Sequence, residues 1–297
     1  MTLEQLRVFV AVAERQHVTR AAESLNLAQS AASAAIAALE ARHGAKLFNR
    51  VGRGIELTEA GTVFLAEARA VLARVELAER TLEDLGGLKR GTLSVQASQT
   101  IASYWLPHHL VAFRKAHLGI DIRLSVGNTA EVAAAIHSGE AELGFVEGHV
   151  DDPSLTAEPV ARDQLVIVVA PDHPWAGKRR IAPEDLATTD WVLREPGSGT
   201  RSVFEAALHG FGIDRATLSV AIELPTNEAV RAAVEAGLGA TAISASVAAP
   251  SLEAGLLVKV DCPLPERAFV VLHHAERHVS RAAATLMAII SGSSKRV

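Results

Sequence analysis

Residues 29–40 read QSAASAAIAALE, and this stretch decides how the N-terminal part of the chain folds. Ala32, Ile36 and Leu39 recur at steps of three and four residues, so one face of a helix is apolar. Small polar or small apolar residues occupy the opposite face: Gln29, Ser30, Ser33, Ala34 and Ala37. A helix with such a face at its N-terminal end fits the major groove of DNA. The pattern predicts a recognition helix.

Two shorter helical patterns precede it. Apolar residues recur through segment 2–15 at helical steps, and a second block follows with Thr19 as its predicted N-cap. Asn26 ends that block three residues before Gln29. The spacing predicts a helix-turn-helix.

Residues 48–57 lie beyond a predicted helix stop at Gly44. Two glycines separate short apolar edges here, which favours a hairpin with Arg50 and Arg53 near its tip. Beside a helix-turn-helix, we interpret this hairpin as a wing that contacts the DNA backbone. The alternative is a solvated loop with incidental charge.

From residue 58 to about residue 85 no proline occurs, and Ala, Leu, Glu and Arg dominate. A long helix with a near-heptad apolar stripe needs a partner to cover it, so we expect pairing with a second copy. The stripe consists of Phe64, Ala68, Val71, Val75, Leu82 and Leu85.

Composition restricts the class of protein. The chain has 297 residues, 49% of them hydrophobic, which suffices for two or three domains. It lacks an apolar run near twenty residues and an N-terminal signal pattern, so we expect a cytoplasmic protein without membrane contact. A single cysteine, Cys262, excludes a disulfide framework and a cysteine-rich zinc cluster, and neither the paired histidines nor any HExxH spacing indicates a metal.

Charge is unevenly distributed. Residues 1–90 hold 12 basic and 11 acidic residues, while the remaining 207 hold 17 and 23. The excess acid therefore lies away from the predicted DNA-binding module. Because the module itself is only weakly basic, binding should depend on a few arginines and on avidity between two copies.

Beyond residue 91, strand and helix patterns alternate, which is typical of α/β units on largely parallel sheets. Predicted helices cover 104–117, 128–138, 200–209, 227–236 and 280–290, and predicted strands cover 93–97, 120–126, 143–146, 165–169, 191–193, 219–222, 240–243 and 269–272. Two α/β lobes with a crossover resemble a periplasmic-type binding protein. The absence of an export signal argues against an extracytoplasmic solute carrier.

Small polar residues follow four of the predicted strands, where helix N-termini point free N–H groups into a crevice. One such position alone is better explained as a helix cap, but four together favour a small anionic or carboxylate ligand. Arg201 would add a fixed positive charge, and Glu147 could accept a hydrogen from a protonated ligand or be an interlobe surface charge. The predicted effector-binding residues are Ser98, Thr100, Asn128, Thr129, Glu147, Ser198, Thr200, Arg201 and Asn227.

Six N-terminal blocks together resemble the DNA-binding domain of LysR-type transcriptional regulators: LEQLRVF at 3–9, VTRAA at 18–22, AQSAAS at 28–33, IAALE at 36–40, LFNR at 47–50 and LTEAG at 57–61. The resemblance implies an α/β fold class with a winged helix-turn-helix at 1–60, a linker helix at 61–88 and a two-lobed effector domain at 89–297. Lobe I would cover about 89–162 and 267–297, and lobe II about 163–266.

The resemblance also implies partners and site residues. We expect the protein to bind promoter DNA, to self-associate as a dimer or tetramer, and to contact RNA polymerase. No cofactor is expected. A segment at 195–201 resembles family members of sulfur or carbon metabolism, so the effector candidates are inorganic oxyanions and small carboxylated or phosphorylated metabolites. The predicted DNA-binding residues are Thr19, Arg20, Gln29, Ser30, Ser33, Ala34, Arg50 and Arg53.

The sequence departs from the family pattern in two places, position 28 and positions 34 and 35. Ala28 stands where a hydroxyl residue is common, so an N-cap is lost and Ser30 becomes the predicted substitute. Ala34 and Ala35 replace long polar side chains, which favours readout of DNA shape over direct base contacts.

Two other functions compete with a regulator. A soluble enzyme with a binding-protein-like core would use Ser198 or Glu147 chemically, but it would not need a polar recognition face followed by a glycine hairpin. A pure protein-interaction module would explain the long helix and leave the polar strand ends unexplained.

Overall fold

The structure, a computed structural model, describes residues 1–51, 54–85, 91–178 and 180–294. It separates into two units, Met1–Leu82 with Ser138–Glu140, and Glu83–His137 with Ala141–Val297. Among the described residues, no helix is both long and apolar enough to cross a membrane.

The first unit begins with three helices: α1 (Leu3–Arg15), α2 (Val18–Ser24) and α3 (Gln29–His43). The apolar face predicted for α3 is buried, and Gly44 ends this helix in the left-handed conformation. The predicted cap of α2 is wrong. The helix begins one residue before Thr19, and the side chain of His17 accepts the backbone N–H of Arg20 instead, at 3.4 Å.

The predicted hairpin consists of β1 (Phe48–Val51) and β2 (Gly54–Leu57), paired antiparallel. Glu40 of α3 holds its base, because its carboxylate accepts the N–H of Leu47 at 2.8 Å and the ammonium of Lys46 at 2.8 Å. Burial opposes the charged form, but these hydrogen bonds prevail and lower the pKa of Glu40.

The long helix α4 spans Glu59–Leu85. Ala68 and Phe64, which the sequence pattern assigns to a seam between two copies, pack instead against Leu6 and Phe9 of their own unit. This part of the prediction is wrong because α4 is apolar on more than one face. Val71 is 40% exposed and Val75 is half-buried, while the side chains of Leu82 and Leu85 lie outside the described part of the chain.

In the second unit the strands form one continuous path in the order β4-β3-β5-β11-β6-β9-β7-β8, with β10 paired to β6. The strands are β3 (Gly91–Ser98), β4 (Ile120–Gly127), β5 (Leu143–Glu147), β6 (Leu155–Val169), β7 (Asp190–Arg194), β8 (Ser219–Leu224), β9 (Ala240–Ser244), β10 (Val258–Val260) and β11 (Glu266–His274). The helices are α5 (Leu106–Ala116), α6 (Thr129–Ser138), α7 (Gly199–Gly210), α8 (Asn227–Glu235), α9 (Ala245–Glu253) and α10 (Arg281–Ser294).

Strand β6 joins two halves of this path. Its first part pairs with β11 and its last part with β9 and β10, all antiparallel. We call the half built on β3, β4 and β5 lobe I, and the half built on β7, β8, β9 and β10 lobe II. Strand β5 also pairs antiparallel with β11. The outer strand pairs, β3 with β4 and β5, and β7 with β8 and β9, are parallel. The prediction of largely parallel sheets therefore holds for the two outer parts of the path and is wrong for its centre.

The main differences from the predicted elements in this unit are two boundaries and two missed elements. The strand predicted at 165–169 begins ten residues earlier, because the polar segment 155–164 pairs with a strand about 100 residues away. The helix predicted from 104 is preceded by a π-helical turn at Ile101–Trp105, and α5 starts at Leu106. Helix α9 and strand β10 carry no strong periodic signal and were not predicted.

Candidate DNA-binding surface and interlobe crevice

The outer face of α3 carries the predicted base-reading residues. Gln29, Ser30 and Ala34 are exposed, Ser33 is half-buried, and Gln29 Nε2 donates to Ser33 Oγ at 2.9 Å. Thr19 and Arg20 are exposed on α2, and Arg50 is exposed on β1. Arg53 lies outside the described residues. The arrangement leaves a row of small polar groups free to contact another molecule.

The start of α3 has no side-chain cap. Ala28 occupies the N-cap position, and Ser30 lies in the first helical turn, so the prediction that Ser30 replaces the missing cap is wrong. The N–H groups of a first turn then need solvent or an anionic group as acceptor, and a phosphate fits that need.

In the second unit, polar side chains from both lobes meet where the strands end. Ser98 ends β3 and Thr100 follows it, Ser198 and Thr200 flank the first residue of α7, and Asn227 begins α8. All five are buried, with at most 3% of each residue exposed. Hydroxyl and amide groups at the N-termini of helices form an environment that favours anions.

Glu147 lies at the centre of this interlobe crevice and is 2% exposed. Ser98 Oγ donates to one of its carboxylate oxygens. The hydroxyl of Thr200, from lobe II, lies 3.4 Å from the other oxygen, and Arg267 Nη1 lies 3.7 Å from it. The carboxylate therefore joins a hydroxyl from each lobe.

Arg267, which sequence reasoning missed, supplies the central positive charge. It stands directly opposite Asp163 in the β11–β6 pair, and its Nε donates to Asp163 Oδ2 at 2.7 Å. Arg267 Nη1 also donates to Thr200 Oγ1 at 3.0 Å. The sequence does show a charged residue, Arg267, directly before the apolar run 268–272. Its partner Asp163 could not be predicted, because it lies 104 positions away in sequence.

A second chain of hydrogen bonds crosses between the lobes. Arg194 Nη1 donates to Asn227 Oδ1 at 2.6 Å, and Asn227 Nδ2 donates to Thr100 Oγ1 at 3.0 Å. Gln99, which lies between Ser98 and Thr100 but was not among the predicted effector-binding residues, accepts the backbone N–H of Asn227 at 2.6 Å and donates to Glu228 at 2.9 Å. Thr100 thus accepts a hydrogen bond and keeps its own hydroxyl hydrogen for another acceptor.

Thr129 begins α6 and Asn128 directly precedes it; both lie next to the segment at the start of α7. Asn128 Oδ1 accepts the N–H of Glu131 at 3.0 Å, and Thr129 Oγ1 donates to the carbonyl of Glu147 at 2.9 Å. Both side chains therefore already have structural partners. A Cβ at Gly199 would overlap that same carbonyl, so only glycine permits this close approach of the lobes.

Arg201 has a different environment from the one predicted. Its guanidinium contacts Glu205 at 2.8 Å and Glu223 at 2.6 Å, and it donates to the carbonyl of Arg194 at 2.9 Å. Burial opposes charging, but the two carboxylates raise the pKa of Arg201 further. Its charge is thus already neutralised within lobe II.

Family models match both parts of the chain. Residues 3–62 match the bacterial regulatory helix-turn-helix protein of the lysR family, and residues 86–294 match the LysR substrate binding domain. The chain is 36% identical over 285 residues to the uncharacterized HTH-type transcriptional regulator YeiE of Escherichia coli K12, covering 95% of this chain and 94% of that one.

Solved structures share the fold. Full-length CbnR complexed with its target DNA has a TM-score of 0.70 at 23% identity and covers 100% of this chain and 99% of its own. The regulatory domain of CcmR from Synechocystis PCC6803, in complex with 2-PG, has a TM-score of 0.64 at 25% identity and covers 70% of this chain and 99% of its own. With both of its parts matched by family models, the chain belongs to the LysR family of DNA-binding transcriptional regulators with an effector-binding domain.

Proposed function

We propose that this regulator senses a small oxyanion-bearing metabolite, which binds between lobes I and II and changes their relative orientation. The observation that carries the proposal is the buried cluster of Ser98, Thr100, Ser198, Thr200 and Asn227, drawn from both lobes. Hydroxyls, amides and helix N-termini can replace the hydration of an anion. Only a ligand that touches both lobes can bias their equilibrium.

The relatives support this choice of ligand class. The CcmR regulatory domain was solved with the small molecule 2-PG, and the crevice offers the hydrogen-bond donors that such a ligand would need. The groups that now bond to each other across the lobes would exchange these bonds for bonds to the ligand. We propose binding without catalysis, because both parts of the chain match families of transcriptional regulators.

Calorimetry with sulfate, sulfite, thiosulfate, phosphate and small organic acids tests the crevice. Thr100→Val removes a free hydroxyl hydrogen at nearly constant volume and should weaken the effector about 3- to 10-fold, the value of one neutral hydrogen bond. Thr217→Val, on an exposed turn of the same unit, is the matched control. Equal affinities in both variants and the wild type would place the effector elsewhere.

We propose that Gln29, Ser30, Ser33 and Ala34 contact bases in the major groove, while Thr19, Arg20 and the arginines of the hairpin hold the backbone. Selection of bound genomic DNA, with and without candidate metabolites, identifies the sites. Ser33→Arg should change the selected sequence, because a longer donor reaches different base edges. An unchanged consensus would contradict base reading by α3.

Self-association is proposed to use the uncovered face of α4. Val63 and Val71 are 66% and 40% exposed on this helix, and a second copy would bury both. Val71→Glu should weaken the dimer and, with it, DNA binding, since two half-sites must be engaged together. Sedimentation that shows an unaltered oligomer would remove this role from α4.

A further inference from the structure

We propose that Glu147 selects oxyanions that carry a hydrogen on one oxygen, such as hydrogen phosphate or a hydroxy acid, over fully deprotonated ones such as sulfate. This inference rests on the proposed function, since it names the class of ligand that the interlobe crevice accepts. Three features of the crevice support it.

The first feature is the absence of spare positive charge among the crevice residues that the structure describes. Arg267 is paired with Asp163, Arg194 with Glu195, and Arg201 with Glu205 and Glu223. Each of these guanidinium groups therefore has at least one carboxylate partner, and Arg201 has two. Glu147 adds a further buried negative charge, so a multiply charged anion would enter a site that is already neutral or negative.

The second feature is that the crevice offers both donors and an acceptor. Thr100 accepts from Asn227 and keeps its hydrogen for a ligand oxygen, and the N-terminus of α7 after β7 provides further donors. Glu147 belongs to the same edge, because β3 and β5 are parallel and Ala97 pairs with Phe145. A ligand that contacts these donors therefore lies at the same edge of the sheet as the Glu147 carboxylate.

The third feature is electrostatic. A bare ligand oxygen next to the Glu147 carboxylate places two like charges in a buried region, where repulsion is strong. One hydrogen between the two oxygens turns that repulsion into a charge-assisted hydrogen bond. Phosphate keeps at least one hydrogen throughout the neutral range, whereas sulfate has none. The two anions have nearly the same size and shape, so they differ chiefly in this hydrogen.

The experiment compares inorganic phosphate with sulfate by calorimetry on the full chain at neutral pH. Wild type should bind phosphate about 10- to 100-fold more tightly than sulfate, the range expected for one charge-assisted hydrogen bond. Glu147→Gln removes the charge and adds an amide donor at almost the same volume. This variant should lose most of the preference or reverse it. Glu253→Gln, an exposed carboxylate at the end of α9, is the control and should keep the wild-type ratio.

A second measurement needs no variant. Titration of wild type in buffers of different ionisation enthalpy counts the protons that accompany binding. Binding of sulfate should be accompanied by uptake of about one proton from the buffer, because sulfate brings no hydrogen to place between its oxygen and Glu147. Binding of phosphate should take up fewer protons, because phosphate already carries that hydrogen. This readout remains informative if Glu147→Gln fails to fold.

The outcomes separate the two proposals. A preference for phosphate that disappears in Glu147→Gln supports both. Binding of both anions with the same ratio in wild type and Glu147→Gln overturns the role of Glu147 but leaves an anion site between the lobes. Anion binding that is insensitive to Thr100→Val and to Glu147→Gln alike overturns the crevice itself. Equal or tighter binding of sulfate by wild type also overturns the selection.

Discussion

Small polar side chains line both the outer face of α3 and the interlobe crevice, yet the two regions place them in opposite environments. On α3, Gln29 and Ser30 are exposed and the helix start has no side-chain cap. In the crevice, Ser98 and Thr200 are buried and already hydrogen-bonded to Glu147. An exposed site binds by adding contacts, whereas a buried site must exchange contacts that also hold the fold together. Substitutions in the crevice should therefore affect stability as well as ligand affinity, whereas substitutions on α3 should affect DNA affinity alone.

The largest expected effect is at Arg267. Arg267→Ala leaves Asp163 and Glu147 buried without their cation, which should lower the free energy of unfolding of the second unit by about 3–5 kcal/mol. Urea denaturation measures this loss. Arg162→Ala, which removes the exposed ion pair with Glu266, should cost less than about 1 kcal/mol. Similar losses in both variants would contradict the special position of Arg267.

The next effect depends on pH. Burial, and secondarily the neighbouring His108, lowers the pKa of His109 to about 4, below the ordinary value of 6.5. Between pH 6.5 and 4, His109 is therefore protonated in the unfolded chain but not in the folded one. The stability that the neutral form of His109 contributes is complete above pH 6.5 and is lost as the pH falls towards 4. The loss should be on the order of 3 kcal/mol, because each pKa unit corresponds to 1.36 kcal/mol.

Denaturation of the second unit at several pH values tests this linkage. His109→Leu should flatten the profile between pH 6.5 and 4, whereas the exposed His149→Gln should leave its slope unchanged. A slope that persists in His109→Leu would assign the pH dependence to other groups.

A third prediction concerns the role of Arg201, either as a ligand contact or as a partner of carboxylates in its own lobe. The sequence predicts a ligand contact, but the structure pairs the side chain with Glu205 and Glu223. We expect Arg201→Ala to lower the free energy of unfolding by about 2 kcal/mol, less than Arg267→Ala because Glu223 is partly hydrated. Calorimetry should show effector affinity within about threefold of wild type, which is below 1 kcal/mol. A loss of effector affinity above tenfold in Arg201→Ala, with unchanged stability, would support a direct contact between Arg201 and the effector.

The smallest effect concerns the hairpin. Arg50→Ala should weaken all DNA sites alike and reduce the salt dependence of binding by about one unit, as expected for one lost phosphate contact. Stability should stay unchanged because Arg50 is exposed. Fluorescence anisotropy at several salt concentrations measures the slope, and Lys259→Ala, an exposed cation of the other unit, provides the control. An unaltered slope would leave Arg50 without a role at the DNA backbone.

The sequence by itself determined those features that depend on neighbours a few positions away. The apolar face of α3, its end at Gly44, the β1–β2 hairpin and most strands of the second unit follow from periodicity and turn residues. The polar ends of the strands were also readable, because helix starts after strands have a local signature.

Only the tertiary structure decided which of these polar groups act together. The pairing of Arg267 with Asp163 depends on the register of two strands far apart in sequence, and the sharing of Glu147 by Ser98 and Thr200 depends on how the lobes meet. Arg201 shows the same dependence in reverse, since Glu223 on the neighbouring β8 neutralises the charge that local sequence offers to a ligand. Local pattern fixes which side chains reach an edge of the sheet, but long-range packing chooses their partners because only burial makes an unpaired charge costly.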